Sequence, residues 1–356
     1  MKKFIALLMV TLIILVSLVG CSTGGNSNTP ENSNQKVADS SESKTDFPSK
    51  KITLIVPWSA GGITDRVARV FAPLFEKNLG QPITVVNKEG ASGAIGTEFA
   101  HGEPNDGYTV LFSAETPAVF QVMGTSKLGF SDFDALKMLI QDLKVVVVPK
   151  NSPYNTFEEL VADIKANPGK IKMSYSGPGA SGHIQGLLFK QLGLDVSMTP
   201  YGGGNPSMIA TISGEVDFTF GNYGTVKDYL KVGDLRALAL FDNKKSDALP
   251  DVPPMTDVLP EADPYLPLYF PNSLLVKKGT SDEVKNVLIE AAEKALQEPE
   301  WKEFVESQSY TTLDHLTVEE IDDYWAKFTS ITSWLLYDAG VAQNNPEDFG
   351  IKRFEE

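Results

Sequence analysis

From Lys51 onward the chain alternates short apolar runs with stretches of helical period, and glycine turns separate them. Ile52 to Val56 is a β-branched run stopped by Pro57. Beyond the next glycines Val67, Phe71, Leu74 and Phe75 share one helical face up to Leu79 and Gly80. Ile83 to Val86 predicts a second strand, Gly90 to Gly96 a loop leading into a short helix, and Tyr108 to Ser113 a third strand. Val145 to Val148, four consecutive valines before Pro149, predict a strand buried on both faces. Thr156 and Glu159 spell a capping box that opens a helix ending at Asn167-Pro168-Gly169. Strand, glycine loop and helix then repeat: Lys172 to Tyr175 leads into Ile184, Leu187, Leu188 and Leu192, and Met198 to Tyr201 into Met208, Ile209 and Ile212. Asp217 to Phe220 and Arg236 to Phe241 predict two more strands.

A proline-rich stretch follows, with Pro250, Pro253, Pro254, Pro260, Pro264, Pro267 and Pro271, and Ser273 to Val276 then returns as a strand. After it the pattern is helical. Val284, Val287, Leu288, Ala291, Ala292, Ala295 and Leu296 form one amphipathic stripe. Thr317 and Glu320 form a second capping box, with Val318, Ile321, Tyr324, Trp325, Phe328 and Ile331 expected inward. This order predicts an α/β protein with largely parallel strands and one domain inserted into another. The expected boundaries are 48–144 with 268–356 for the first domain and 145–267 for the second.

The N-terminus has a different character. Lys2-Lys3 precede an apolar run from Phe4 to Val19, ending in Leu18-Val19-Gly20-Cys21, the pattern of a secretory signal peptide over 1–20. A small residue followed by Cys resembles the lipobox of bacterial lipoproteins, which implies cleavage before Cys21, lipid on its thiol and an extracytoplasmic, membrane-anchored chain. Ser22 to Asp46 is rich in Ser, Asn, Thr, Gly and Glu without an aromatic residue, so 21–47 is expected to be a flexible tether. About 310 residues remain for folding, enough for two ordinary domains.

The formal net charge is −15, and loss of Lys2 and Lys3 with the leader makes it −17. Such a chain is a poor partner for nucleic acid, which needs clustered Lys and Arg. An anionic ligand would be repelled at long range and would need short-range, well-aimed donors. Four glycine-bearing segments between strand and helix could supply them: Trp58-Ser59-Ala60-Gly61-Gly62, Gly90-Ala91-Ser92-Gly93, Ser176 to Gly182, and Gly202-Gly203-Gly204-Asn205. Helix N-termini at the carboxyl ends of strands present amides and a positive dipole end to anions. None has the spacing of a P-loop or a dinucleotide fingerprint.

Catalytic chemistry has few candidates. His101, His183 and His315 are the only histidines and Cys21 the only cysteine, so neither a His-rich metal site nor a thiol site is expected, and no cofactor is implied. His183 near Ser176 and Ser181 leaves a Ser/His hydrolase as an alternative, against a helix-opening His with a backbone or ligand hydrogen bond. Asp65 and Arg69 stand at i,i+4, either as a surface pair or with Asp65 fixing the loop before it.

Pro57-Trp58-Ser59-Ala60-Gly61-Gly62, Asp65, Leu79-Gly80-Gln81-Pro82, Gly90-Ala91-Ser92-Gly93 and Asp106-Gly107-Tyr108-Thr109 resemble the substrate-binding proteins of tripartite tricarboxylate transporters, the Bug family. Asn167-Pro168-Gly169-Lys170, Ser176-Gly177-Pro178-Gly179, Pro200-Tyr201, Gly214-Glu215-Val216-Asp217 and Leu249-Pro250-Asp251-Val252-Pro253 extend the likeness over nearly the whole chain after the tether. The resemblance implies a two-domain type II periplasmic-binding-protein fold, a Venus flytrap with C-terminal helices. It also implies a monomer without catalysis that passes a small organic carboxylate to membrane permease subunits; a sensing subunit for a membrane kinase is the alternative. Carried over, Trp58, Ser59, Gly61 and Gly62 form the first wall with Asp65 bracing the turn. Ser176, Gly177, Gly179, Ala180 and Ser181 form the opposing wall, flanked by Tyr201 and Gly202, while Ser113, Glu115, Thr116 and Asn222 read the distal part of the ligand. The grip is expected from main-chain amides without a dedicated basic side chain. Three departures bear on ligand identity and on the passage between domains. Gly202 stands where Lys is frequent, Trp58 replaces a common Phe, and Phe270-Pro271-Asn272-Ser273 lacks the usual glycines.

Overall fold

The computed structural model describes residues 46–354, and there the apolar runs build two sheets, joined by one residue on the outward pass and by residues 241–269 on the return. In chain order the elements are β1 (Ile52–Val56), α1 (Ile63–Leu79), β2 (Ile83–Asn87), α2 (Ala94–Gly102), β3 (Thr109–Ser113), α3 (Phe120–Met123) and β4 (Phe133–Asp142). After Leu143 come β5 (Lys144–Pro149), α4 (Phe157–Ala166), β6 (Lys172–Tyr175), α5 (Ser181–Gln191), β7 (Ser197–Pro200), α6 (Gly204–Ile212), β8 (Phe218–Asn222), α7 (Tyr223–Val232) and β9 (Leu235–Leu240). The chain then returns through β10 (Phe270–Lys277), α8 (Asp282–Leu296), α9 (Pro299–Gln308), β11 (Thr311–Thr312) and α10 (Val318–Asp338). The leader, Cys21 and most of the expected tether lie outside the described residues.

The first sheet has the order β11-β4-β10-β3-β1-β2 and the second β7-β6-β8-β5-β9. The α/β class expected from the pattern is therefore present, but the strands are mixed rather than largely parallel. β1 pairs in parallel with β2 and β3, and β6 with β7 and β8. β10 runs antiparallel to β3 and β4, β11 to β4, and β5 to β8 and β9. The antiparallel pairings gather at the strands that leave or re-enter a sheet, where no helical crossover turns the chain round.

β4 is an element the apolar pattern does not announce. Its Ala135, Leu136, Lys137, Met138 and Leu139 favour helix locally, and burial between β10 and β11 overrides that preference. The four valines behave as expected: Val146 and Val148 enter one core and Val145 and Val147 another. Both capping boxes close, Glu159 N–H donating to Thr156 Oγ1 at 3.3 Å and Glu320 N–H to Thr317 Oγ1 at 3.2 Å.

Val318, expected inward, faces solvent at 39% exposure, and so does the apolar Ile209 of α6 at 62%. On α6 the buried residues are Ser207, Met208, Ala210 and Thr211. The Ser207 and Thr211 hydroxyls join Ser174 and Thr219 in a buried network, with Ser207 Oγ to Ser174 Oγ at 2.8 Å and Thr219 Oγ1 donating to Ser174 O at 2.9 Å. Val318 is the first residue of α10, just past its cap, where the helix has not yet reached the core.

Outside the first sheet, α1, α8 and α9 bury Phe71, Phe75, Phe112 and Trp301, with Phe71 and Phe75 stacked at 5.1 Å between centroids. A second core runs across both sheets, because α10 packs Ile331 and Leu335 against residues of each. Both sheets fall within one compact unit, Thr45–Glu356. Among the described residues no helix is long and apolar enough to cross a membrane.

Candidate functional site

The loop before α1 is shaped by Asp65 in the helix's first turn. Gly61 takes φ +82°, a conformation that favours glycine, and donates its N–H to Asp65 Oδ2 at 2.8 Å. Arg69 Nε donates to the same carboxylate at 3.0 Å and Asn87 Nδ2 at 2.8 Å, while Asn87 Nδ2 also reaches Trp58 O at 3.0 Å. Burial works against the charge of Asp65, yet these donors outweigh it and hold its carboxyl below the usual range. Asp65 thus does both things open to it, pairing with Arg69 and bracing the turn. Ser59 is exposed and its hydroxyl donates to the Glu89 carboxylate, and Gly62 donates to Ser59 O at 3.4 Å.

Trp58 and Thr116 meet over Gly93, where a side-chain carbon would stand 3.3 Å from Thr116 Oγ1 and 3.5 Å from the indole ring. Ser113 ends β3 fully buried, its hydroxyl turned onto Ala114 O at 3.1 Å. Glu115 follows, 3% exposed, and reaches the opposing loop.

In the second sheet the loop after β6 leads into α5. Gly177 O accepts from Ala180 N–H at 3.2 Å, Gly179 N–H donates to His183 Nδ1 at 3.0 Å, and Ser181 N–H donates to Glu115 Oε1 at 3.3 Å. Ser92 Oγ donates to Pro178 O at 3.3 Å, and Gly179 lies against Val119 and Met123. Trp58, Ser92, Glu115, Thr116, Gly179 and Ser181 therefore gather where the two sheets face each other. Ser176 is half-buried at the entrance of this loop. Tyr201 N–H donates to Tyr175 O at 2.8 Å, which holds it and the exposed Gly202 beside Gly177; among the described residues no hydrogen bond joins them to the first-sheet loops.

Lys144 changes the expected chemistry. It opens β5, is 2% exposed, and donates to Ser181 Oγ at 2.8 Å and to Asn222 Oδ1. A site expected to work through main-chain amides thus has a buried ammonium bound to two of its members. Several amides assigned to the grip, those of Gly61, Gly62, Gly179, Ala180 and Ser181, are bonded to the chain's own acceptors. Burial pushes Lys144 down to about 8 against the pull of Glu115 and Asp142. Burial likewise raises Glu115, against the Lys144 charge, and takes Asp142 up to about 7 against the Gly224 N–H, Lys144 and Arg66. The sequence did carry one signal for Lys144: a lysine directly before a strand expected to be buried on both faces has nowhere solvated to go.

His183 stacks on Tyr175 at 4.9 Å, and burial, then Lys190, holds its imidazole down at about 4. With Nδ1 accepting from Gly179, it is a neutral ring fixed by its own loop, the helix-opening arrangement. Among the described residues no three of His, Cys, Asp and Glu gather as metal ligands. Cavities of about 720 Å³ beside Glu98, Gln121 and Lys127, and of about 120 Å³ beside Tyr265 and Trp334, are lined by none of the site residues.

Residues 67–319 match the family model described as tripartite tricarboxylate transporter family receptor. The chain is 32% identical over 262 residues to Protein BugT of Bordetella pertussis, covering 70% of this chain and 78% of that one. A solved structure of a periplasmic transporter, 31% identical, superposes with a TM-score of 0.73 over 83% of this chain and 99% of its own. MatC from Rhodopseudomonas palustris, solved with bound malate, shares the fold at 21% identity, with a TM-score of 0.71 over 82% of this chain and 100% of its own.

Proposed function

The chain belongs to the tripartite tricarboxylate transporter receptor family, and from that premise we propose that it is a lipid-anchored extracytoplasmic receptor. It captures a small organic carboxylate between two domains, 48–144 with 268–356 and 145–267, and delivers it to the permease subunits of the transporter. The observation that carries this reading is the carboxylate already held at the first turn of α5, where Ser181 N–H donates to Glu115. A ligand carboxylate drawn to this helix start competes with Glu115 for the Ser181 N–H. Trp58, Thr116 and the 176–182 loop are the facing surfaces, and closing them over a ligand desolvates it between both sets of donors. The malate found in MatC gives the ligand a size.

Calorimetry and thermal shift with malate, succinate, citrate and benzoate test the capture step: saturable binding of at least one is expected, and binding of no carboxylate overturns the reading. Labelling cells with palmitate tests the anchor. Label on the wild-type chain and none on Cys21→Ser is the expected result, and an unlabelled wild-type chain removes the anchor from the proposal.

A further inference from the structure

The first-turn amide of α5 is answered by the chain itself. Glu115 is 3% exposed, and its Oε1 accepts the Ser181 N–H at 3.3 Å. Its charge and that of Lys144 act on each other, and Lys144 Nζ donates to Ser181 Oγ at 2.8 Å. A carboxylate is thus already seated at this helix start, with an amide and a cation to meet. A second carboxylate cannot share that amide with it, because like charges at such range oppose each other. Capture there requires Glu115 to leave.

The helix α10 offers it another partner. Glu115 Oε2 is buried and has no hydrogen-bond partner among the described residues, and the same is true of the Tyr324 hydroxyl. The first is an acceptor and the second can donate, so each lacks what the other has. α10 packs against the turn that follows Glu115, where Ser333 Oγ donates to Ala118 O at 3.1 Å. Burial and then the charge of Glu115 push the Tyr324 phenol up, which places the two groups within electrostatic reach.

Resting on the carboxylate-receptor reading of this site, the geometry points to Glu115 as an internal stand-in for the ligand: its carboxylate holds the α5 start until a ligand displaces it, and the Tyr324 hydroxyl then receives it. The contact is autoinhibitory and it sets the affinity. A receptor whose Glu115 holds the amide in about nine molecules of ten binds about tenfold more weakly than one whose amide is free.

Calorimetry on the full chain at neutral pH, with malate, succinate, citrate and benzoate, tests the exchange. Glu115→Gln keeps the shape and removes the charge; Glu115→Asp keeps the charge but is too short by a methylene to reach the Ser181 N–H. For at least one of these acids Glu115→Gln should bind about tenfold tighter than the wild-type chain, and Glu115→Asp about threefold tighter. Tyr324→Phe should bind about threefold more weakly in the wild-type chain and without change in Glu115→Gln, a coupling that a merely structural role does not produce. Its melting temperature should hold, since the hydroxyl it loses has no partner.

Equal or weaker binding by Glu115→Gln overturns the inference and leaves the receptor reading standing. Tighter binding by Glu115→Gln but not by Glu115→Asp overturns the stand-in role, because loss of charge alone then explains it. A Tyr324→Phe effect that persists in Glu115→Gln overturns the part given to Tyr324. If neither the wild-type chain nor any variant binds one of the acids, the inference fails together with the reading it rests on.

Discussion

The loops that open α1 and α5 are alike in composition and opposite in support. The first is braced within its own sheet, by Asp65 four residues beyond Gly61, by Arg69 on the next turn and by Asn87 at the end of β2. The second is braced from without: Ser181 bonds Glu115 from the loop after β3 and Lys144 from the start of β5. A brace made within one sheet keeps its geometry however the other sheet is placed. An external one exists only while distant segments stay together, so the Ser181–Glu115 bond of the α5 loop depends on the arrangement of the two sheets.

The largest expected effect comes from removing the external support. Lys144→Met leaves Glu115 and Asp142 as buried carboxylates without their nearest cation and takes a donor from Ser181 and Asn222. A loss of about 3–5 kcal/mol in urea unfolding is expected, and a loss below about 1 kcal/mol would mean the second loop does not depend on it.

Asp142 tests the same region through pH. Its folded pKa of about 7 exceeds the unfolded value of 3.8, so between these limits the folded state holds a proton that the unfolded state releases. Stability is then fully present below about pH 4 and falls as pH rises toward 7. Roughly three pKa units set an upper bound of about 4 kcal/mol on that fall. Asp142→Asn should flatten this part of a stability profile measured from pH 4 to 7; an unchanged slope rules the group out as its source.

The internal brace should give less. Asp65→Ala strips the partner of Gly61, Arg69 and Asn87, and about 2–3 kcal/mol is expected, since Arg69 is half exposed and retains water. Combined with Lys144→Met, its effect should add within about 0.5 kcal/mol, because no described residue bonds to both. Strong coupling in that cycle would erase the distinction between the two loops. The smallest effect is at Gly179, where φ is +76° and a side-chain carbon meets Val119 at 3.4 Å. Gly179→Ala should cost about 1 kcal/mol of stability and weaken ligand binding more than Gly61→Ala, which has nothing within 4 Å.

The same contrast explains what the sequence could disclose. Asp65 with Arg69, Thr156 with Glu159, and Thr317 with Glu320 are contacts between near neighbours, and their spacing announces them. The burial of Val145 to Val148 is written in an unbroken apolar run. β4 was hidden because its residues prefer a helix when read alone, and only the strands on either side hold it extended. Ile209 lies outside because Ser207 and Thr211 share the inner face of α6 with Met208 and Ala210, their hydroxyls satisfied by residues of β6 and β8 that no local pattern links to them. The facing of Glu115, Lys144 and Ser181 joins three segments far apart in the chain, and spacing carries no information about such a meeting.

Leu143 is the entire span between β4 and β5, which leaves almost no slack in the outbound strand. Were the sheets to swing apart, Lys144, Ser181 and Asn222 would travel together, since all three ride on the second sheet, while Asp142 and Glu115 would stay with the first. The parting line therefore runs between opposite charges and not through the bonds that Lys144 makes to its neutral partners. Water admitted along that line would hydrate a cation on one side and two acids on the other, so dissolved salt should shift the balance between the shut and parted forms.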